Sequence, residues 1–102
     1  MSEFEASVRR VVLSLRPGEV VTYGEVALES GHPGAARAVG GIMASGVGLP
    51  WWRVVASNGR LVPGHEAEQA RRLRKEGVEV DGGHVRAFRS TRGRRRPRGT
   101  MP

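Results

Sequence analysis

Phe4, Val8, Val11, Val12 and Leu15 recur at the spacing of one helical face, with mostly polar or small residues between them. That stripe predicts a first helix, with Ser2 available as its N-cap and Pro17-Gly18 as its stop. After the short apolar pair Val20-Val21, Thr22 can cap a second helix, and Glu25 stands three residues on, where a capping box needs it. Ser30-Gly31 ends that helix, and Pro33 suits the first turn of a third, spanning about residues 33–44. Gly46 and Gly48 break the pattern. The stretch from Leu49 to Val55 reads as an extended or turn segment entering a β-branched run. Asn58-Gly59 is the strongest hairpin signal in the chain, with strands expected over 53–56 and 60–62. A fourth helix is expected over 65–76, with Ala67, Ala70 and Leu73 at helical spacing and Gly77 as its C-cap; Val78 and Val80 can form a last short strand. The sum is a mainly α domain with a small β-hairpin, arranged as a winged-helix-like helix-turn-helix.

Two short helices joined by a glycine-containing turn are the helix-turn-helix signature, whose second member enters a DNA groove, although consecutive helices are common in any α-containing domain. The third helix sharpens the reading. Ala35, Ala38, Val39 and Ile42 form a side that can pack inward, while Arg37, Gly40 and Gly41 fall at i, i+3 and i+4 on another. Each glycine inside a helix costs about 1 kcal/mol relative to alanine. The bare backbone it leaves serves either tight helix packing or close approach to an outside surface, and the arginine beside it favours the second.

The formal net charge of +7 is unevenly spread. Residues 1–83 hold ten Lys/Arg against ten Asp/Glu, whereas residues 84–102 hold seven arginines (Arg86, Arg89, Arg92, Arg94, Arg95, Arg96, Arg98) and no acid. The division predicts a neutral winged-helix-like domain over 1–83 and a basic, disordered arm over 84–102 that cannot bury enough apolar surface to fold alone. By itself such an arm suits DNA, RNA or ribosomes equally. No run approaches the roughly 20 apolar residues of a membrane span, and the first residues hold no apolar signal core. A cytoplasmic protein without membrane contact, nucleoid-associated when on DNA, is expected. The chain has no cysteine, which removes disulfides, thiolate catalysis and thiolate metal sites. His32, His65 and His84 stand at no metal-ligand spacing, so neither a metal nor a cofactor is assigned.

Both tryptophans are adjacent, Trp51-Trp52, between the third helix and the expected hairpin. One such residue commonly anchors a small core. Neighbouring side chains of an extended segment point to opposite faces, so the other is free to line a pocket and offer a stacking surface.

Three runs then carry a family resemblance: Thr22-Tyr23-Gly24-Glu25-Val26-Ala27, Gly31-His32-Pro33-Gly34-Ala35-Ala36-Arg37-Ala38-Val39-Gly40-Gly41, and Leu49-Pro50-Trp51-Trp52-Arg53-Val54-Val55 with Ser57-Asn58-Gly59. Together with Glu76-Gly77-Val78 they resemble the DNA-binding domain of the O6-alkylguanine-DNA alkyltransferases over roughly residues 4–80. The enzymes' motif Pro-Cys-His-Arg-Val reads here Pro50-Trp51-Trp52-Arg53-Val54. Their chemistry needs the cysteine as a thiolate nucleophile and the histidine as its base, and indole is neither. Replacement of the cysteine by tryptophan makes the chain similar to the alkyltransferase-like proteins, which bind alkylated DNA without repairing it.

The resemblance implies a non-enzymatic protein that flips O6-alkylguanine out of duplex DNA and marks it for nucleotide excision repair. Its implied partners are damaged double-stranded DNA and excision repair proteins, and it is expected to act as a monomer. Thr22, Tyr23, Ala36, Arg37, Ala38, Gly40 and Gly41 are the implied DNA-binding set, with Arg37 as the finger filling the emptied stack. Tyr23 would press on the target phosphate, and Ala36 and Ala38 would face the minor groove. The implied lesion pocket comprises Tyr23, Met43, Trp51, Trp52, Arg53, Val54 and Ser57, with backbone groups near Val54 reading the guanine edge. Glu76 matches the glutamate of the enzymes' network and is expected to hold structure, and Gly46 stands where they carry an asparagine. No arginine aligns in the loop Leu61-Val62-Pro63-Gly64-His65, where some relatives contact the lesion; Arg60 and His65 are the candidates to substitute, although His65 reads first as an exposed residue at a helix start.

The main alternative is a winged-helix regulator or architectural protein for undamaged duplex, which needs no apolar pocket beside its recognition helix. An RNA-binding or ribosome-associated protein explains the arm but not the Tyr23, Arg37 and Pro50-to-Val54 arrangement.

Overall fold

The structure, a computed structural model, describes residues 2–86 and residue 88. Helix α1 (Glu3–Leu13) begins where Ser2 Oγ accepts from the Glu5 N–H, and it buries Val8 and Val12 with Phe4 and Val11 packed beside them. Helix α2 (Tyr23–Glu29) opens on the expected capping box: Thr22 Oγ1 accepts from the Glu25 N–H at 3.1 Å, and Glu25 Oε1 accepts from the Thr22 N–H at 2.8 Å. It leaves through a Schellman turn, in which the Gly31 N–H reaches Leu28 O and the His32 N–H reaches Ala27 O. Gly31, at φ +87°, supplies the left-handed residue that turn requires.

Helix α3 (Ala36–Ser45) starts later than the sequence pattern predicts. His32-Pro33-Gly34-Ala35 closes a turn, with the Ala35 N–H on His32 O at 3.1 Å and Gly34 at φ +91°. Proline followed by a residue with positive φ is the chemistry of a type II turn, so Pro33 serves the turn rather than the helix. Val39 and Met43 bury α3 against α1 and α2, with Ala35 and Ile42 beside them. Ala38, expected to face inward, is exposed.

The expected wing is replaced by two other strand pairings. Strand β1 (Val21–Thr22) runs parallel to β2 (Val54–Val55), with Val21 opposite Val54 and Thr22 opposite Val55. The Asn58-Gly59 turn forms, closed by the Gly59 N–H on Ala56 O and the Ala56 N–H on Arg60 O. It does not grow into a hairpin over 53–56 and 60–62, because β2 is already taken by β1 and Arg60 bridges to His84. The antiparallel hairpin is instead β3 (Val80–Asp81) with β4 (His84–Val85), turning on Gly82-Gly83. The body therefore continues beyond residue 83, into the stretch expected to be arm. Val85 is buried, and Phe88 packs on the same core and lies against Gly59. Residue 87 and residues 89–102 of the expected arm lie outside the described residues.

Two cores result. The first lies among α1, α2 and α3 and takes in Leu49 and Val54; the second gathers Val20, Val55, Leu61, Ala70, Leu73 and Val85 beneath α4 (Glu66–Lys75). The inward face of α4 is Gln69, Ala70 and Leu73, while Ala67 is exposed. A fully buried glutamine must have its amide satisfied. Gln69 Oε1 accepts from the Val62 N–H at 2.7 Å, and Nε2 donates to Trp52 O at 3.2 Å and Val54 O at 3.1 Å. Among the described residues no helix is long and apolar enough to cross a membrane.

Candidate nucleic-acid interface

Residues 37, 40, 41 and 44 of α3 fall at i, i+3, i+4 and i+7 and so share one face. Arg37 is exposed there and, among the described residues, has no ion-pair or hydrogen-bond partner. A Cβ added at Gly40 or Gly41 would meet nothing within 4 Å. The glycines are therefore not cut to fit a neighbouring helix. They leave a thin, open backbone surface beside a free guanidinium.

That face runs into a cavity of about 470 Å³, within the usual size of ligand pockets. Tyr23 from the start of α2, Gly40, Met43 and Ala44 from α3, and Gly46 just past its end form one part of the lining. Trp51, in the 3-10 turn Trp51–Arg53, forms another, and Val62, Pro63 and His65 form the rim. Tyr23 also packs on the first core, and burial raises the pKa of its phenol, so the group is a neutral donor. Gly46 is where a larger residue would disturb the wall, since its Cβ would lie 2.5 Å from Leu49 Cδ1 and 3.0 Å from Ile42 O.

The two tryptophans part company, on a 3-10 turn rather than the expected extended segment. Trp51 turns to the first core and the cavity; Trp52 turns to the second core, its ring edge-on to Trp51 with centroids 6.2 Å apart. Trp52 therefore does not line the cavity, contrary to the expectation. Its Nε1–H donates to Glu76 Oε2 at 2.8 Å, and its ring is flanked by the guanidinium carbons of Arg53 at 5.2 Å and Arg72 at 4.6 Å. Glu76 also accepts from Arg53 Nη2 at 2.6 Å, from Arg53 Nε at 3.0 Å and from the Gly18 N–H at 2.9 Å. Burial pushes this carboxyl up, but the hydrogen bonds from Arg53, Gly18 and Trp52 outweigh it and hold the group below its ordinary value.

Three more residues expected in the pocket lie elsewhere. Arg53 is committed to Glu76 and, through Nη1, to Leu15 O at 3.0 Å. Val54 is fully buried, its N–H held by Trp51 O and its carbonyl by Gln69, so its backbone is not free to read a base edge. Ser57 is exposed in the turn after β2 and does not line the cavity. Of the DNA-facing set, Ala38 and Gly41 are exposed with Arg37, Ala36 is half-buried, and Gly40 lines the cavity. Thr22 is half-buried with its hydroxyl engaged in the capping box.

His65 is exposed at the start of α4, as the sequence reading has it, and it also lines the rim with its ring 6.0 Å from Trp51, a contact the sequence does not signal. Sequence reasoning missed Gln69, whose only sequence signal is a polar residue at i−1 and i−4 to the apolar pair Ala70 and Leu73. Among the described residues no cluster of His, Asp and Glu could hold a metal ion.

A helix-turn-helix body whose recognition helix offers bare backbone and one arginine, beside an aromatic-walled cavity, defines a DNA-binding domain with room for an extruded group. Residues 3–78 match the model of the 6-O-methylguanine DNA methyltransferase DNA-binding domain, and the chain belongs to this family. A DNA base-flipping protein of Vibrio parahaemolyticus is 39% identical to it over 85 residues, covering 78% of this chain and 85% of that protein. Schizosaccharomyces pombe Atl1, in complex with damaged DNA containing O6-carboxymethylguanine, is 38% identical with a TM-score of 0.72, covering 79% of this chain and 82% of that one. The Mycobacterium tuberculosis O6-methylguanine methyltransferase is 31% identical with a TM-score of 0.66, over 79% of this chain and 53% of that one. Transfer of an alkyl group to a protein cysteine is closed to this chain, which has none.

Proposed function

We propose that the protein is a non-enzymatic reader of alkylated DNA, which extrudes O6-alkylguanine from the duplex into the cavity and leaves the alkyl group in place. The observation that carries this reading is the continuity of one surface: Arg37 stands one helical turn from Gly40, which already lines the cavity walled by Trp51. The exposed guanidinium fills the gap in the stack, and the glycines let the backbone come close to the groove. Tyr23 presses on the phosphate of the turned-out nucleotide. Extrusion costs a few kcal/mol, least for a poorly paired base, and stacking on an aromatic ring returns ~1–3 kcal/mol. The complex of Schizosaccharomyces pombe Atl1 with DNA containing O6-carboxymethylguanine supports the same reading.

Because the alkyl group remains on the base, its removal falls to another system, and we assign that step to nucleotide excision repair acting on DNA bound by a monomer. Binding titrations on matched duplexes with guanine or O6-methylguanine test the core of the proposal. The expected result is tighter binding to the alkylated duplex with every methyl group still on the DNA. Equal affinity for the two duplexes would leave a regulator or architectural protein as the better description.

A further inference from the structure

The rim of the cavity is built by neither α2, α3 nor the tryptophan turn. On the reading proposed above, on which this inference rests, the base enters from the α3 side. The rim of Val62, Pro63 and His65 then faces whatever the base carries on O6. Val62 and Pro63 offer apolar contact only. His65 is the sole rim residue with a polar side chain, and its ring stands edge-on to Trp51 at 6.0 Å.

The imidazole is both fixed and free. Its backbone is held on two sides, by the His65 N–H on Val62 O and by His65 O accepting from the Gln69 N–H, each at 3.0 Å. The Val62 end of the rim is held by buried Gln69 as well. Yet the side chain is exposed and, among the described residues, makes no hydrogen bond or ion pair. No carboxylate lines the cavity. The acids nearest in sequence are engaged elsewhere, Glu66 with the Gly64 N–H and Glu68 with Arg71 and Arg72. The other ionisable side chain on the lining, Tyr23, is a neutral phenol.

We infer that His65 is the specificity-determining residue for the O6 substituent, favouring adducts that end in an anionic hydrogen-bond acceptor such as a carboxylate over apolar chains of similar length. A methyl group is satisfied between Trp51 and Met43. A longer substituent reaches the rim, where an apolar end gains only Val62 and Pro63, whereas a carboxylate takes a donor from the imidazole. A hydrogen bond to a charged group shifts affinity on the order of tenfold or more.

The test uses the full chain and four matched duplexes, carrying guanine, O6-methylguanine, O6-propylguanine or O6-carboxymethylguanine. The wild-type protein should bind the carboxymethyl duplex about tenfold more tightly than the propyl duplex. His65→Ala and His65→Phe should both abolish that preference, read as the ratio of the carboxymethyl and propyl affinities of one variant; the phenylalanine keeps a ring against Trp51 and lacks the donor, which separates loss of the hydrogen bond from loss of packing. No preference in the wild-type protein, or a preference that survives either substitution, overturns the assignment of His65 while discrimination between O6-methylguanine and guanine still stands. Loss of that last discrimination in the wild-type protein overturns the assignment together with the lesion-reading function.

Discussion

Replacing Glu76 by glutamine keeps the side chain's volume and removes one negative charge from the centre of four donor contacts. In the native protein the carboxylate receives Gly18 N–H, Trp52 Nε1–H and two groups of Arg53, and the ion pair is largely enclosed, with side-chain exposures of 12% and 13%. An amide offers a single oxygen, and its own two N–H groups then face donors. Breaking a buried pair by removing one partner costs about 3–5 kcal/mol. The retained amide oxygen places Glu76→Gln at the lower end, about 3 kcal/mol, or roughly 12–24 °C in melting temperature for a domain of this size. The penalty should depend on pH in a defined direction. The folded carboxyl titrates below its ordinary value, so its stabilisation is complete above the unfolded value of about 4.3 and is lost as pH falls through the lower folded value. Urea unfolding followed by tryptophan fluorescence, at neutral pH and in steps down to about pH 3, measures the gap between wild type and variant. It should be widest at neutral pH and close in acid. The solvent-screened pairing of Glu68 with Arg71 and Arg72 is the control, where Glu68→Gln should leave the unfolding midpoint almost unchanged. A Glu76→Gln penalty as small as that of the control, or one that does not narrow in acid, would refute the account of Glu76 as the enclosed acceptor for Gly18, Trp52 and Arg53.

Arg37→Ala should leave the melting temperature unchanged and remove most lesion binding, because the side chain is exposed and contributes nothing to the core; a fall in stability with binding intact would make Arg37 structural. Gly40→Ala fills open space inside a helix and should stabilise the fold by up to about 1 kcal/mol while weakening DNA binding, a combination that tight helix packing could not give. Deleting residues 89–102 removes six arginines and should weaken binding to damaged and undamaged duplex by similar factors. The slope of log affinity against log salt should fall by about 0.9 for each phosphate no longer neutralised, read by titration at several salt concentrations. Deletion from residue 84 should instead unfold the second core, because it removes Val85 and Phe88.

The helical half of the molecule was legible because its signals are local. The stripe from Phe4 to Val12, the Thr22–Glu25 box and Gly31 each act within a turn or two of chain and sit where the spacing puts them, although α1 ends at Leu13, before the expected Pro17-Gly18 stop, and Leu15 is buried beyond it. The β half was not. Val21 and Val54 meet in a parallel pair of two residues each, too short for a periodicity and joined across 33 residues of sequence. Asn58-Gly59 signalled a turn correctly, but whether flanking residues pair with each other depends on what else has claimed them, and β1 had. The site followed the same division. Tyr23, Met43 and Trp51 line one cavity, on positions fixed by local structure. Trp52, Arg53 and Val54 were drawn away by tertiary partners, Glu76 and Gln69, that lie 24, 23 and 15 residues on.

The parallel pair β1–β2 has a consequence for how such a pocket can change over generations. Tyr23 follows directly on Thr22, and Trp51 precedes Val54 by three residues, so the facing walls hang from the rungs Val21–Val54 and Thr22–Val55. Those rungs are peptide groups, which no side-chain replacement edits. The gap between the walls is thus set by the backbone, whereas the Val62-to-His65 rim is tied to that clasp through a side chain, Gln69, which accepts from the Val62 N–H and donates to Val54 O, so a single replacement can loosen the rim and leave the gap as it is.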